Sequence, residues 1–193
     1  MTHALVVYES MFGNAQAVAH AIAEGLGRRM DVELVEVGCA PLVIGDEVAL
    51  LVVGGPTHML TLTRPSSRAR AARKVMAPLV SGTIGLREWL SRVQVHSALL
   101  AASFDSRLVR PGWLLWFDSA APKIGKRLSA LGLRLLLPPQ SFFVAGERGP
   151  LLPDELQRAR DWGEALGLQY SPDQSRIQSE ASAERSPAAA THS

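Results

Sequence analysis

The chain has 193 residues, of which 47% are hydrophobic and 20% charged, and its formal net charge is +2. This length and composition fit one globular domain plus a tail, and no apolar run reaches the ~20 residues that a membrane-spanning helix needs. The basic residues are spread along the chain, which gives no support to nucleic-acid binding. The single cysteine, Cys39, excludes an internal disulfide, and we expect it to be buried. The N-terminus has no basic leader, so we expect a cytoplasmic protein.

A strand, a turn and a helix are predicted at the start of the chain. Residues 5–8 are apolar (LVVY), residues 9–14 form a polar turn (ESMFGN), and the apolar residues after it recur at three- and four-residue steps. That spacing predicts a helix that buries one face. Because the first turn of a helix presents unpaired N–H groups and the positive end of the helix dipole, this turn suits an anion such as phosphate.

Four further strands are predicted. Residues 31–37 alternate apolar and charged, which is typical of a half-buried edge strand, whereas residues 47–53 are uniformly apolar, like a parallel strand buried on both faces. We also predict strands at 95–102 and 133–144, the second interrupted by two prolines that cannot donate to a ladder. Helical segments alternate with the strands, which predicts an α/β fold with a five-stranded parallel sheet and helices on both faces.

The helices are predicted from capping and breaking residues. Serine at positions 66 and 67 is expected to cap a helix over residues 68–76, whose basic charges we interpret as a solvated face. A short helix is predicted at 86–90 and longer ones at 120–131 and 153–168.

Two segments differ from the rest in composition. Residues 113–117 (WLLWF) are the most aromatic part of the chain, and we interpret them as a cover over the sheet; the alternatives are a wall for a ring-shaped ligand or a contact surface. From residue 171 onward the chain is mostly Ser, Ala, Glu, Gln and Pro and cannot bury enough apolar surface to become ordered. We therefore predict a domain at 1–170 and a disordered tail at 171–193.

Three polar turns follow predicted strands at one edge of the sheet. They cover residues 9–15, 54–63 and 103–110. Open parallel sheets bind ligands beyond the carboxyl ends of their strands, where the strand order reverses. The three turns are therefore predicted to form one binding site.

The first turn resembles the phosphate loop of flavodoxin-like proteins, in the variant that reads Ser-Met-aromatic-Gly-Asn (residues 10–14). Residues 54–58 (GGPTH) resemble the second flavin loop of that family, and residues 103–105 (SFD) stand in the place of the third. The resemblance covers residues 1–168 and implies a three-layer α/β/α fold, strand order 2-1-3-4-5 and FMN as cofactor. The cofactor-binding residues that it implies are Ser10, Met11, Phe12, Gly13, Asn14, Ala15, Pro56, Thr57, His58, Ser103, Phe104 and Asp105.

Phe12 and Ala15 depart from the family pattern, which often has threonine at these positions. Two lost hydrogen bonds of ~1 kcal/mol each would weaken FMN binding without abolishing it. Thr57 either bonds a polar ring edge or braces its turn, Asp105 is expected to be a turn residue, and His58 is the one neutral-pH proton carrier in these loops.

The resemblance implies an FMN-binding protein of electron transfer or oxidoreduction, which works with a redox partner protein or a small-molecule acceptor. Two alternatives stay open: a flavin-dependent NAD(P)H or quinone reductase, and a flavodoxin-fold interaction module that has lost FMN. The second is motivated by Phe12, Ala15 and the aromatic segment. The sequence contains no motif of a hydrolase, a metal site or an NAD fingerprint, and it assigns no catalytic residue.

Overall fold

Parallel strands form the centre of the molecule, and helices cover both of their faces. The structure is a computed structural model that describes residues 3–57, 62–73, 79–95, 99–109, 119–146 and 148–170. The elements are, in chain order, β1 (His3–Tyr8), α1 (Asn14–Leu26), β2 (Val32–Glu36), β3 (Val43–Ile44), β4 (Val48–Pro56), α2 (Pro65–Arg73), α3 (Leu86–Trp89), β5 (Gln94–Val95), β6 (Leu100–Leu108), α4 (Ala120–Ala130), β7 (Arg134–Leu135), β8 (Gln140–Val144) and α5 (Glu155–Gln169).

The main sheet has the order β2-β1-β4-β6-β7, and β8 also pairs with β6. All of its pairings are parallel. The predicted fifth strand is split at its two prolines into β7 and β8, which follow each other along β6. The order 2-1-3-4-5 is therefore confirmed. Since β2 lies on one side of β1 and β4 on the other, the strand order reverses at β1.

Two hydrophobic cores lie on opposite faces of the sheet. Alternate residues of β1 point to opposite sides: Ala4 and Val6 belong to the core under α1 and α5, whereas Leu5 and Val7 belong to the core under α3 and α4. The predicted three-layer α/β/α architecture is confirmed. None of the helices in the described ranges is long and apolar enough to span a membrane.

Side chains of α5 cover the outer edge of β8. The backbone N–H of Phe143 donates to Glu155 Oε2 at 2.8 Å, and the Arg158 guanidinium donates to the Ser141 carbonyl oxygen. Arg158 also pairs with Glu155 at 2.7 Å and lies over the ring of Phe142. Because unpaired edge groups are a template for another strand, this ion pair closes the edge against association.

The fourth predicted strand was placed too early in the chain. Residues 94–95 pair with β3 in a separate two-stranded sheet, and the strand of the main sheet is β6, which continues to Leu108. The predicted turn at 103–110 is therefore wrong. Cys39, which was expected to be buried, is exposed. The aromatic segment 113–117 and the tail 171–193 lie outside the described residues and stay predictions.

Helices α1 and α5 approach each other through two glycines. A Cβ atom on Gly163 would overlap the backbone of Ile22, and one on Gly25 would overlap the backbone of Arg160. A side chain at either position would have to push the two helices apart, because backbone atoms cannot rotate out of the way.

We expect Gly163→Ala to lower the free energy of unfolding by about 1–3 kcal/mol, the usual cost of overpacking a tight contact. Urea denaturation followed by circular dichroism measures it. Gly82→Ala is the matched control, because its added Cβ would meet only the Leu79 carbonyl oxygen, at 3.9 Å. Equal stability of the two variants would contradict the close approach of the helices.

Candidate functional site

The candidate site lies at the carboxyl ends of β1 and β4, where the strand order reverses. The turn after β1 runs into the first residue of α1, Asn14, and β4 ends at Pro56, beside this turn. Parallel α/β sheets bind their ligands at such a reversal, because the two loops leave the sheet in opposite directions and open a crevice.

The turn between β1 and α1 is shaped by Ser10 and Gly13. Gly13 has φ +90°, and a Cβ at this position would meet no atom within 4 Å. The Gly13 N–H donates to the Ser10 hydroxyl oxygen at 3.1 Å. The buried serine thus fixes the turn, and the glycine supplies the left-handed conformation that L side chains rarely adopt.

The predicted residues of this turn divide by exposure. Ser10, Met11 and Ala15 are buried, whereas Phe12, Gly13 and Asn14 are half-buried. A ligand at this turn would therefore meet the backbone of the second set.

Asn14 does not cap α1. The N-cap position belongs to Gly13, which has no side chain, and the first turn of the helix contains no acidic residue. The Asn14 amide instead lies against Gly149, where a Cβ would overlap it. The positive end of α1 is therefore left without a carboxylate of its own.

The segment of residues 79–86, here called the strap, is hydrogen-bonded to the turn after β1. The Ser81 N–H donates to the Ser10 carbonyl oxygen at 2.7 Å, and the Ser10 N–H donates to the Ser81 hydroxyl at 2.9 Å. The Val80 N–H donates to the Met11 carbonyl at 3.4 Å. The strap therefore holds the backbone of the turn through three hydrogen bonds.

Glu9, the first residue of this turn, has a fully buried carboxylate. Its Oε2 accepts the Leu86 N–H at 2.8 Å, its Oε1 accepts the Thr63 hydroxyl, and Arg68 Nη1 lies 3.9 Å from Oε1. Arg68 is itself buried and pairs with Glu88 at 3.0 Å. Burial raises the pKa of the Glu9 carboxyl, and the hydrogen bonds from Thr63 and Leu86 and the charge of Arg68 oppose this rise.

Arg68 was predicted to lie on a solvated helix face, and for this residue the prediction is wrong. Its guanidinium donates to the Thr63 hydroxyl at 3.0 Å and is held between two glutamates. The signal was present in the sequence of α2, PSSRARAAR, which has no large apolar residue to anchor it. Such a helix can dock on the protein only through a polar group.

A second network joins the end of β4 to the start of α4. Asp105 Oδ2 accepts the hydroxyls of Thr57 at 2.7 Å and of Ser119 at 2.5 Å. It also accepts the N–H groups of Ala120 and Ala121, at 2.7 and 3.0 Å. The Thr57 hydroxyl is close to the Ala120 N–H as well, at 2.7 Å. Thr57 thus links the end of β4 to β6 and α4, and a bond from it to a polar ring edge stays a prediction.

Three predicted site residues, Ser103, Phe104 and Asp105, lie within β6 and are fully buried, not in a turn. The ring of Phe104 packs against Gly54, where a Cβ would overlap it, and edge-on against Phe142. Asp105 can stay in a strand because its Oδ2 accepts two N–H groups at the N-terminus of α4. The structure therefore places these residues inside the sheet and not in a third turn.

His58 lies outside the described residues, and its role stays a prediction. Within the described ranges, His, Cys, Asp and Glu form no group that could hold a metal ion.

Three helices begin at this edge of the sheet, and their first turns differ. The carboxylate of Glu9 accepts an N–H of α3, and that of Asp105 accepts two N–H groups of α4. Among the residues that the structure describes, helix α1 begins at Gly13 without such a partner. Of these three, α1 is the one suited to an anion from outside the chain.

Solved structures of flavodoxins have this fold. A flavodoxin from the domain Archaea matches with a TM-score of 0.57 at 18% identity, over 87% of this chain and 98% of its own. The Streptococcus pneumoniae TIGR4 flavodoxin matches with 0.59 at 13% identity, over 88% and 100%. A flavodoxin, WrbA-like protein from Agrobacterium tumefaciens matches with 0.53 at 16% identity, over 92% and 99%. The chain therefore has the flavodoxin-like fold.

No protein-family model and no curated protein sequence matches the chain.

We expect Glu9→Gln to change how stability depends on pH. Because the pKa of Glu9 is higher in the folded than in the unfolded chain, the folded state keeps a proton that the unfolded chain releases as pH rises. The stability contributed by this group is complete below the ordinary pKa of glutamate and is lost as pH rises through the folded value. Urea denaturation from acid to neutral pH should therefore show that the free energy of unfolding of the variant, relative to that of the wild type, rises with pH.

The exposed Glu47 provides the control for this experiment, as Glu47→Gln. A stability difference between wild type and Glu9→Gln that stays constant with pH would contradict the raised pKa.

We expect Thr57→Val to lower the free energy of unfolding by about 1–2 kcal/mol, because Asp105 loses a donor and the Ala120 N–H an acceptor. Thr57→Ser keeps the hydroxyl and should recover most of the loss. Thermal or urea unfolding of both variants tests this, and equal loss in the two would exclude the hydroxyl as the cause.

Proposed function

We propose that the chain binds FMN at the start of α1 and takes part in electron transfer. The observation that carries the proposal is the first turn of this helix, which contains no acidic residue and begins at a glycine with φ +90°. A phosphate monoester is the anion that suits a helix N-terminus, because backbone N–H groups and the helix dipole both favour it. The flavodoxin-like fold makes FMN the first candidate among such ligands.

The residues present fit this ligand. The half-buried residues Phe12, Gly13 and Asn14 would hold the phosphate, and the space beside Gly13 is open, because a Cβ there would meet no atom within 4 Å. The one carboxylate of the turn, Glu9, is directed away, into its bonds with Leu86 and Thr63. No acidic group of the turn would therefore oppose the negative ligand.

The backbone of the turn would carry most of the binding. Phe12 and Ala15 supply no hydroxyl, and the hydroxyl of Ser10 already accepts the Gly13 N–H. FMN would supply the redox chemistry when bound, and the chain would bind it, orient it and set its surroundings. The flavin ring would extend towards Pro56 and Thr57, at the end of β4.

The first test is a titration with FMN and with riboflavin, which lacks the phosphate. We expect FMN to bind at least about tenfold more tightly, a difference of ~1.4 kcal/mol, because the phosphate occupies the start of α1. The visible spectrum and the quenching of flavin fluorescence follow both ligands. Absence of FMN binding up to millimolar concentration would exclude the proposal.

Gly13→Asp should weaken FMN by about tenfold or more and leave riboflavin unchanged, because it places a charge at the phosphate position. Gly132→Asp is the matched control: Gly132 has φ +89° and equally open space, but it follows α4 and is far along the chain from this turn. The two variants bear similar backbone strain, so equal effects on FMN would argue against a phosphate site at Gly13.

Catalysis separates an electron carrier from a flavin-dependent reductase. Turnover of a quinone with NADPH by the FMN-loaded protein would favour the reductase, whereas a loaded protein without turnover favours the carrier. Function that survives Gly13→Asp in cells would favour a module that works without FMN.

A further inference from the structure

Helix α2 is attached to the protein through the buried Arg68 and exposes Arg70 and Arg73 to solvent. Its buried residues are Arg68 and Ala71, and Arg68 connects it to Glu9, Thr63 and Glu88. A helix normally contributes an apolar stripe to the core, and this one contributes a single methyl group. Its packing alone does not account for its presence.

Positive charge is concentrated around α2. The described residues 62–73 and 79–92 contain six arginines and one glutamate, a net charge of +5 in a chain whose total is +2. Half of these arginines, Arg64, Arg70 and Arg73, are exposed on α2 or directly before it. The net charge of the whole chain, +2, does not indicate this local concentration of basic residues.

The arginines of α2 lie opposite its buried face. Arg70 and Arg73 are one turn apart, and at 100° per residue both point away from Arg68 and Ala71. Like charges at this spacing destabilise a helix, and residues 64–76 contain no acidic side chain to offset them. The arrangement is therefore unfavourable for the isolated protein and becomes favourable beside an acidic surface.

The position of α2 relates this charge to the proposed flavin site. Arg68 lies 3.9 Å from the carboxylate of Glu9, and the strap that follows α2 is bonded to Ser10. A protein seated on α2 would therefore be adjacent to the turn after β1. The arginines stand on a convex helix face without interleaved aromatic residues, which suits an extended acidic surface better than a nucleotide or a nucleic-acid strand.

We propose that the outward face of α2 is the docking surface for the acidic face of a redox partner protein. This inference rests on the proposed function, because the partner exchanges an electron with the bound flavin. Complementary charge would steer the encounter, so that association is fast at low ionic strength and slows as salt screens the charges.

The experiment uses the FMN-loaded protein and a reduced, acidic [2Fe–2S] ferredoxin as the probe. One electron passes from the reduced cluster to the oxidised flavin, and stopped-flow absorbance measures the second-order rate constant. We expect this constant to fall by about tenfold when salt is raised from about 0.02 M to about 0.5 M. In Arg70→Glu/Arg73→Glu the dependence should reverse, with slower reduction at low salt.

Lys126→Glu/Arg134→Glu is the control, because it changes the net charge equally at two exposed positions outside the arginine-rich segments around α2. It should keep most of the rate and the direction of the salt dependence. Equal rates in the two double variants, or a wild-type rate independent of salt, would overturn the docking proposal. The spectrum of each preparation is recorded first: a wild type that binds no FMN overturns the proposed function, and this inference with it.

Discussion

A buried carboxylate at the end of the first strand governs how the middle of the chain folds over the sheet. Glu9 can be buried only with donors around it, since an isolated charge in the interior is very costly. Its donors come from far along the chain: the Thr63 hydroxyl, the Leu86 N–H and, at longer range, Arg68. Satisfying this one group fixes α2, the strap and the start of α3 against the turn after β1.

This arrangement also determines which helix start is open. At the edge formed by β1, β4 and β6, the Glu9 carboxylate accepts an N–H at the start of α3, and the Asp105 carboxylate does the same at the start of α4. Both carboxylates are buried, and each is hydrogen-bonded to the start of a helix of the same chain. The start of α1 has a glycine in their place, so, of these three helices, α1 presents its positive end at the point where the strand order reverses. Ser81 of the strap is hydrogen-bonded to this turn, so the turn is held in place before any ligand binds.

The local patterns of the sequence predicted the architecture, because they report which face of an element is buried. The apolar run of β4, the spacing in α1 and the prolines between β7 and β8 each indicate their element without knowledge of distant contacts. The end of β6 was misplaced because Ser103 and Asp105 look like turn residues. What keeps Asp105 in a strand is the N-terminus of α4, some 15 residues later. The sequence of α2 indicates a polar anchor, but which arginine is buried depends on Glu9, which is far away in sequence.

The glycine contact between α1 and α5 has a consequence for how this protein can vary. Helix α1 touches Gly163 of α5 in its second half and Gly149, in the connection from β8 to α5, at its first residue, Asn14. Two contacts, at Gly149 and Gly163, therefore fix the position of α1 along its own axis. An insertion between β8 and α5 would shift the start of α1 relative to the sheet. Substitutions between residues 149 and 163 would therefore affect the first turn of α1, and the two segments would have to vary together.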